Sequence, residues 1–404
     1  MTGGGQLLTG GRFARAGGGV TPGWLLVRGG LIHAMGEGGP PPVREPVVDL
    51  RGRLVVPGFV DPHCHGGAGR SVYTGDPDDV RIAAAGHLAR GTTSMLASVA
   101  SLALPAMEAA ARAVASVIDD GSAPNVVGIH FEGPFLSPGR RGAQSPDALR
   151  VPDRAVVERL LTAAGGHAVS MTVAPELPGA LELIREYADR LVISLGHTEA
   201  SAAVFARAAA AGARAVTHLF NAMPPLDHRD PGPVAAALLD PRLSCELIVD
   251  GHHLAEDTVR LAHRTAGADR LLLVSDAMPA AGMGDGTYRF ADREVTVSGG
   301  AARLRGTGVL AGSTLFVSRA FCRSVTTVGL PLADAVRMSS ATPARLLGLS
   351  DRGALRPGLR ADLVELDTAL SPSRVWLEGR PVPVLALART PVRAADRPEG
   401  RLCR

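Results

Sequence analysis

The chain of 404 residues contains no lysine; all 42 of its basic residues are arginine. No Schiff base can therefore form on a side-chain amine, and no carbamylated lysine can bridge two metal ions. Aromatic residues make up 3% of the chain and the formal net charge is only +3. Without basic clusters interleaved with stacking rings, the composition argues against a nucleic-acid partner. No stretch reaches the roughly 18 consecutive apolar residues of a membrane span, so no membrane partner is expected. The first twenty residues are glycine-rich and lack the apolar core of a secretory signal; a cytoplasmic protein is expected. The four cysteines, Cys64, Cys245, Cys322 and Cys403, include no C-x-x-C pair, which argues against a zinc knuckle or a disulfide scaffold. Cys64 and Cys245 sit in apolar runs and read as buried thiols.

What is present is an ordinary globular composition, 46% hydrophobic and 20% charged, at a length that favours one large domain plus a small one. Up to residue 56 the chain reads as short strands, with Trp24–Val27 and Leu31–Met35 forming a hairpin across Gly29-Gly30. From Pro57 apolar runs at 58–63, 93–98, 126–131, 169–174, 191–196, 215–219, 244–250 and 270–275 alternate with Ala-rich helical stretches. A helix at 313–328 follows the eighth run. This alternation predicts an α/β fold, a (β/α)8 TIM-type barrel over 57–355. A hairpin over 288–297 interrupts it before the closing helix, and 332–348 reads as two short helices. Strands return after Pro357-Gly358. The two chain ends, 1–56 and 356–404, are expected to pair into one small discontinuous β-sandwich domain, with a poorly ordered Arg- and Pro-rich tail from about residue 388.

Chemistry-bearing side chains fall at the ends of those strands, where such barrels carry their active sites. His63 and His65 end the first strand and, two residues apart, share a face. Glu132 ends the third, His197 the fifth, His218 the sixth and Asp276 the eighth. Taken singly each has a bland reading: a histidine packed at a strand end, or Asp276 as a helix N-cap. Six together suit a divalent cation held by histidine and carboxylate: zinc first, with iron or another first-row ion also compatible. Glu132, His197 and His218 offer three ligands with room for water. His63 and His65 offer a second position, with Glu132 as bridge, so one or two ions per subunit are expected. Such an ion lowers the pKa of water and polarises a carbonyl, and Asp276 is placed to accept a proton and pass it on.

The run Pro57-Gly58-Phe59-Val60-Asp61-Pro62-His63-Cys64-His65, with the later Arg356-Pro357-Gly358 and Ala361-Asp362-Leu363, resembles the amidohydrolase superfamily. Within it, His130-Phe131-Glu132-Gly133-Pro134-Phe135, Gly196-His197-Thr198, His218-Leu219-Phe220-Asn221-Ala222-Met223 and Val274-Ser275-Asp276-Ala277 resemble the N-acetylglucosamine-6-phosphate deacetylase family. The resemblance spans nearly the whole chain. It implies metal ligation by Glu132, His197 and His218, with His63 and His65 as the pair some members lack, and Asp276 as general acid/base. It implies a phosphorylated amino sugar as substrate, bound by Asn221 and the Ala222 backbone. Arg229, from a neighbouring subunit of a homodimer, and His253 would meet the phosphate. Where the family commonly has a substrate-contacting histidine after Arg141-Gly142-Ala143, this chain has Gln144, which the resemblance makes a substrate residue that keeps a donor but no charge. The implied reaction is hydrolysis of the acetamide of N-acetylglucosamine 6-phosphate. The alternatives are the galactosamine epimer, another amidohydrolase substrate such as a cyclic ureide (disfavoured by the missing lysine), or a non-catalytic oligomeric scaffold of the same fold.

Overall fold

The computed structural model describes residues 5–15 and 18–382. The tail expected from about residue 388, the last turn of the C-terminal strand pattern at 383–384, and Cys403 lie outside the described residues.

Eight parallel strands form one sheet in sequence order: β1 (Phe59–Cys64), β2 (Thr92–Val99), β3 (Val126–Glu132), β4 (Ala168–Val173), β5 (Val192–Leu195), β6 (Ala215–Val216), β7 (Ser244–Leu247) and β8 (Leu271–Leu273). Their apolar runs are buried on both faces, as strands wrapped by helices must be. A helix follows each expected run; Leu104–Asp119 and Glu256–Ala266, for example, turn apolar residues inward and charged residues outward. The ring closes at its first and last members. The Asp276 N–H donates to the His63 carbonyl at 2.9 Å and the His65 N–H to the Ala277 carbonyl at 2.9 Å. The residue after β8 is thus fixed against the end of β1, which places Asp276 beside His63 and His65.

The chain ends build a second, mixed sheet. Leu54–Pro57, leading into the barrel, pairs antiparallel with Leu363–Leu366, which follows it. Gln6–Ala14 lies on the other side of Leu54–Pro57, parallel to it, and pairs with Val20–Arg28, which pairs with Leu31–Gly36. Trp376, Phe13, Leu25, Ile32 and Leu363 form its core, and the Trp376 indole N–H is satisfied by Gln6 Oε1 at 3.2 Å. The strand Gln6–Ala14 was not singled out by pattern, because Gly10 and Gly11 dilute its alternation; Gly11 lies so close to Leu50 that a Cβ there would meet its side chain at 2.4 Å.

Between β8 and the helix Val317–Thr326 the expected hairpin carries a third strand: Gly286–Phe290, Arg293–Ser298 and Ala301–Leu304 run antiparallel. Its tip comes back to the barrel mouth. The Ala291 N–H donates to the Tyr73 hydroxyl at 3.0 Å, and the Phe290 ring packs edge-on to His65 with centroids 5.2 Å apart.

Candidate metal centre

All six strand-end residues converge in one buried cluster. His65 Nε2 lies 3.1 Å from His63 Nε2 and 3.1 Å from Glu132 Oε2. His197 Nε2 lies 3.0 Å from His218 Nε2 and 3.1 Å from Glu132 Oε1. Asp276 Oδ1 is 3.5 Å from both His63 Nε2 and His65 Nε2. Two sets of three donors result, His63/His65/Asp276 and Glu132/His197/His218, each with ligand atoms within 4.8 Å of one another. Glu132 joins them: Oε1 meets His197, His218 and, at 3.4 Å, His63, while Oε2 meets His65.

Local backbone makes this convergence possible. His197, His218 and Asp276 all have positive φ, 48°, 30° and 44°. Each thus leaves its strand in the left-handed region, which costs a non-glycine residue on the order of 1–3 kcal/mol and persists only where surroundings enforce it. Gly196 lets β5 approach β6 closely; a Cβ there would meet Thr217 Cβ at 2.7 Å.

The second nitrogens of the rings decide what the cluster can hold. His65 Nδ1 faces the Ser98 carbonyl at 2.9 Å, and His197 Nδ1 faces the Arg140 carbonyl at 2.8 Å. Carbonyls only accept, so in both rings Nδ1 carries the hydrogen and Nε2 turns its lone pair inward. His63 Nδ1 faces Glu246 Oε2 at 2.9 Å. Inward lone pairs 3.0–3.1 Å apart repel unless a cation or a proton lies between them. Burial opposes charge on His63, but Glu246, Asp276 and Glu132 outweigh it and hold its pKa well above the ordinary value. Burial likewise pushes Glu132 up, and His63, His65 and their neighbours more than reverse it, so its pKa lies well below normal. The pocket is built for positive charge among carboxylates. A donor set of imidazole and carboxylate without thiolate fits a divalent first-row ion such as zinc.

Beneath the cluster, His130 packs edge-on against His63 and bridges Ser98 and Thr172. Burial lowers its pKa well below normal; it is a neutral floor.

The expected substrate residues are placed unequally. Gln144 is buried and wholly engaged: its carbonyl accepts from the Ser101 N–H at 2.8 Å and its amide donates to Glu132 Oε2. Asn221 and Ala222 sit on the loop after His218, and the Ala222 carbonyl takes the Thr198 N–H at 3.1 Å, joining the residues that follow two ligands. His253 is held by Asp250, Nδ1 to Oδ2 at 2.7 Å. Arg229 stands exposed on the loop beyond Ala222, its backbone N–H donating to Asp227 Oδ1 at 2.8 Å. One residue was not singled out by sequence. Glu246, within β7, is 4% exposed and bonded to His63. An acidic residue inside the apolar run Cys245–Val249 was the available signal.

A third group of buried donors, Asp61, Cys64 and His87, lies on the other side of β1.

Residues 54–389 match the amidohydrolase family. The chain is 36% identical over 360 residues to the N-acetylgalactosamine-6-phosphate deacetylase of Escherichia coli O157:H7, covering 88% of this chain and 93% of that protein. It is 36% identical over 321 residues to the N-acetylglucosamine-6-phosphate deacetylase of Bacillus subtilis (strain 168), covering 77% and 80%. The crystal structure of the N-acetyl-D-glucosamine-6-phosphate deacetylase of Mycobacterium smegmatis superposes with a TM-score of 0.88 at 39% identity, over 93% of this chain and all of that one.

Proposed function

Since this chain belongs to the amidohydrolase family, we propose that it hydrolyses the acetamide of N-acetyl-D-glucosamine 6-phosphate, releasing acetate and D-glucosamine 6-phosphate. The observation that carries this is the convergence of imidazole nitrogens and carboxylates at the barrel mouth, with the outer nitrogens of His63, His65 and His197 tied to acceptors. The deacetylases of sugar phosphates among its relatives supply the substrate class.

Glu132, His197 and His218 would hold one divalent ion, zinc by preference, and His63 and His65 a second, with Glu132 between. The cation would supply Lewis acidity, lowering the pKa of water and drawing charge from the acetamide carbonyl. Everything else falls to side chains. Asp276 Oδ1 takes the proton of the attacking water as its oxygen bonds the carbonyl carbon, then gives that proton to the amide nitrogen as the C–N bond breaks. Gln144 holds Glu132 Oε2, and Ser101 in turn holds Gln144, so the Glu132 carboxylate is held against rotation. Asn221 and the Ala222 backbone would orient the sugar. His253 and Arg229 of the partner subunit would neutralise the phosphate dianion; a homodimer and a cytoplasmic location complete the reading, since a sugar phosphate dianion does not cross a bilayer unaided.

The galactosamine epimer is the second reading, carried by the coverage of 93% of an N-acetylgalactosamine-6-phosphate deacetylase. Acetate release from the two epimers, each with and without the 6-phosphate, tests both. Turnover is expected with the glucosamine epimer ahead and loss of the phosphate costing about a hundredfold or more in kcat/KM. Turnover of unphosphorylated or cyclic amides in preference would overturn the assignment.

A further inference from the structure

We infer that Glu246 is the positioning residue that couples the two metal positions, so that this chain's capacity for a second ion depends on β7 as much as on the His63/His65 pair. The inference rests on the metal reading above.

One oxygen makes two bonds. Glu246 Oε2 accepts from His63 Nδ1 at 2.9 Å and from the His218 backbone N–H at 3.0 Å. His63 belongs to one donor set and His218 to the other. The backbone carbonyl of Glu246 also takes the Leu219 N–H at 2.9 Å. Glu246 is thus tied twice to the loop carrying His218 and once to the ring of His63.

The four histidine rings are not held alike. His65 and His197 bond their outer nitrogens to backbone carbonyls, which are neutral. His63 alone bonds a carboxylate, which fixes the Nδ1–H tautomer and raises the basicity of Nε2 toward a metal. His218 Nδ1 has no partner among the described residues. Its ring is therefore placed by its backbone, which holds a φ of 30°; Asn221 holds the His218 carbonyl, and Glu246 Oε2 holds its N–H. Removing Glu246 would free the tautomer of His63 and the backbone of His218 together.

The two accepted bonds meet on one oxygen, which gives a graded test. In Glu246→Gln the amide oxygen can occupy the same place and accept both bonds; only the charge is lost. In Glu246→Leu both bonds are lost. Titration of metal-free protein with Zn²⁺ alone, and the visible spectrum of the Co²⁺-loaded protein, read the two positions without recourse to turnover. The wild-type protein should bind two equivalents. Glu246→Gln should keep both with the weaker site loosened about tenfold, and Glu246→Leu should lose about a hundredfold at that site and shift the cobalt spectrum. Substantial rescue by glutamine relative to leucine marks positioning rather than bulk packing. Wild-type affinity and an unchanged cobalt spectrum in a folded Glu246→Leu protein overturn the inference; should that variant not fold, wild-type affinity in Glu246→Gln overturns it. A wild-type protein that binds no metal would instead overturn the reading on which the inference stands.

Discussion

The first barrel strand carries two sets of three buried donors, and only one of them is arranged for a cation. Toward the barrel mouth stand His63 and His65 with Asp276; on the other side stand Asp61 and Cys64 with His87. Both sets place their ligand atoms within 4.8 Å of one another, and all six residues are buried. The difference is where the protons are. His65 gives its Nδ1 hydrogen to the Ser98 carbonyl and turns a lone pair inward. His87 Nε2 lies 3.0 Å from the Gly66 carbonyl, so the nitrogen nearest Cys64 carries the hydrogen, and the lone pair is on Nδ1, which has no partner among the described residues. Burial pushes Asp61 up to about 7 and His87 down to about 4, and it raises the Cys64 thiol well above its usual value. That side of the strand suppresses charge, whereas the mouth attracts it. Proximity of donors does not make a metal site; the acceptors behind them do.

The largest effect expected from breaking this asymmetry is on turnover. Asp276→Asn keeps the shape of the mouth but removes the proton carrier, and should lower kcat about a thousandfold with metal content unchanged. Cys64→Ala, one strand residue away from two ligands, should leave kcat within about twofold and metal content unaltered. Near-normal turnover of the asparagine variant would remove Asp276 from its role. Metal loss in the alanine variant would bring the second side of the strand into the site.

Next in size is metal stoichiometry. Replacing His63 and His65 together by alanine should reduce the bound metal from two equivalents to about one, while replacing His197 and His218 should abolish tight binding. The ranking follows from Glu132, whose Oε1 lies 3.1 Å from His197 and 3.3 Å from His218: the first change leaves these three ligands together, whereas the second leaves Glu132 alone at that position and spares only the weaker His63/His65 position. Total loss of metal in the His63/His65 variant, read by elemental analysis after gel filtration, would reverse it.

How far the sequence carries this picture differs with the kind of residue. The ligands were legible because they interrupt apolar runs at a fixed place, the strand end, and the order of βα units then says which face they share. The positive φ of His197, His218 and Asp276 leaves no mark in composition, since the residues that enforce it are distant in sequence. The same holds for the carbonyls of Ser98 and Arg140, which fix two tautomers and have no side-chain signature. Glu246 is visible as a charge in an apolar strand but not interpretable from sequence, because its partners, His63 and the His218 N–H, lie on β1 and on the loop after β6. The resemblance makes Gln144 a substrate contact; its bonds to Ser101 and Glu132 depend on a loop conformation that no local pattern encodes. In the small domain, Gln6–Ala14 escaped notice where glycine replaced the β-branched residues that usually announce a strand.

The smallest effect tests the quiet side of β1 by its dependence on pH. His87 is fully buried and neutral, with its pKa lowered by burial from an ordinary 6.5 to about 4. The unfolded chain binds a proton there below about 6.5 while the folded chain does not, so acid favours unfolding; the stability that the neutral ring contributes is complete above that value and is lost as pH falls toward 4. Between about pH 7 and about pH 5 this one group should cost about 2 kcal/mol of folding stability. Glutamine in its place can still donate to the Gly66 carbonyl but cannot titrate. His87→Gln should therefore lose about 2 kcal/mol less than the wild type over that interval, measured by urea unfolding at both pH values with metal in excess. The metal's own pH dependence is common to the two proteins and cancels in the difference. Equal slopes would mean that His87 is charged in the folded protein, and a charged His87 beside Cys64 and Asp61 would make the two sides of the strand alike after all.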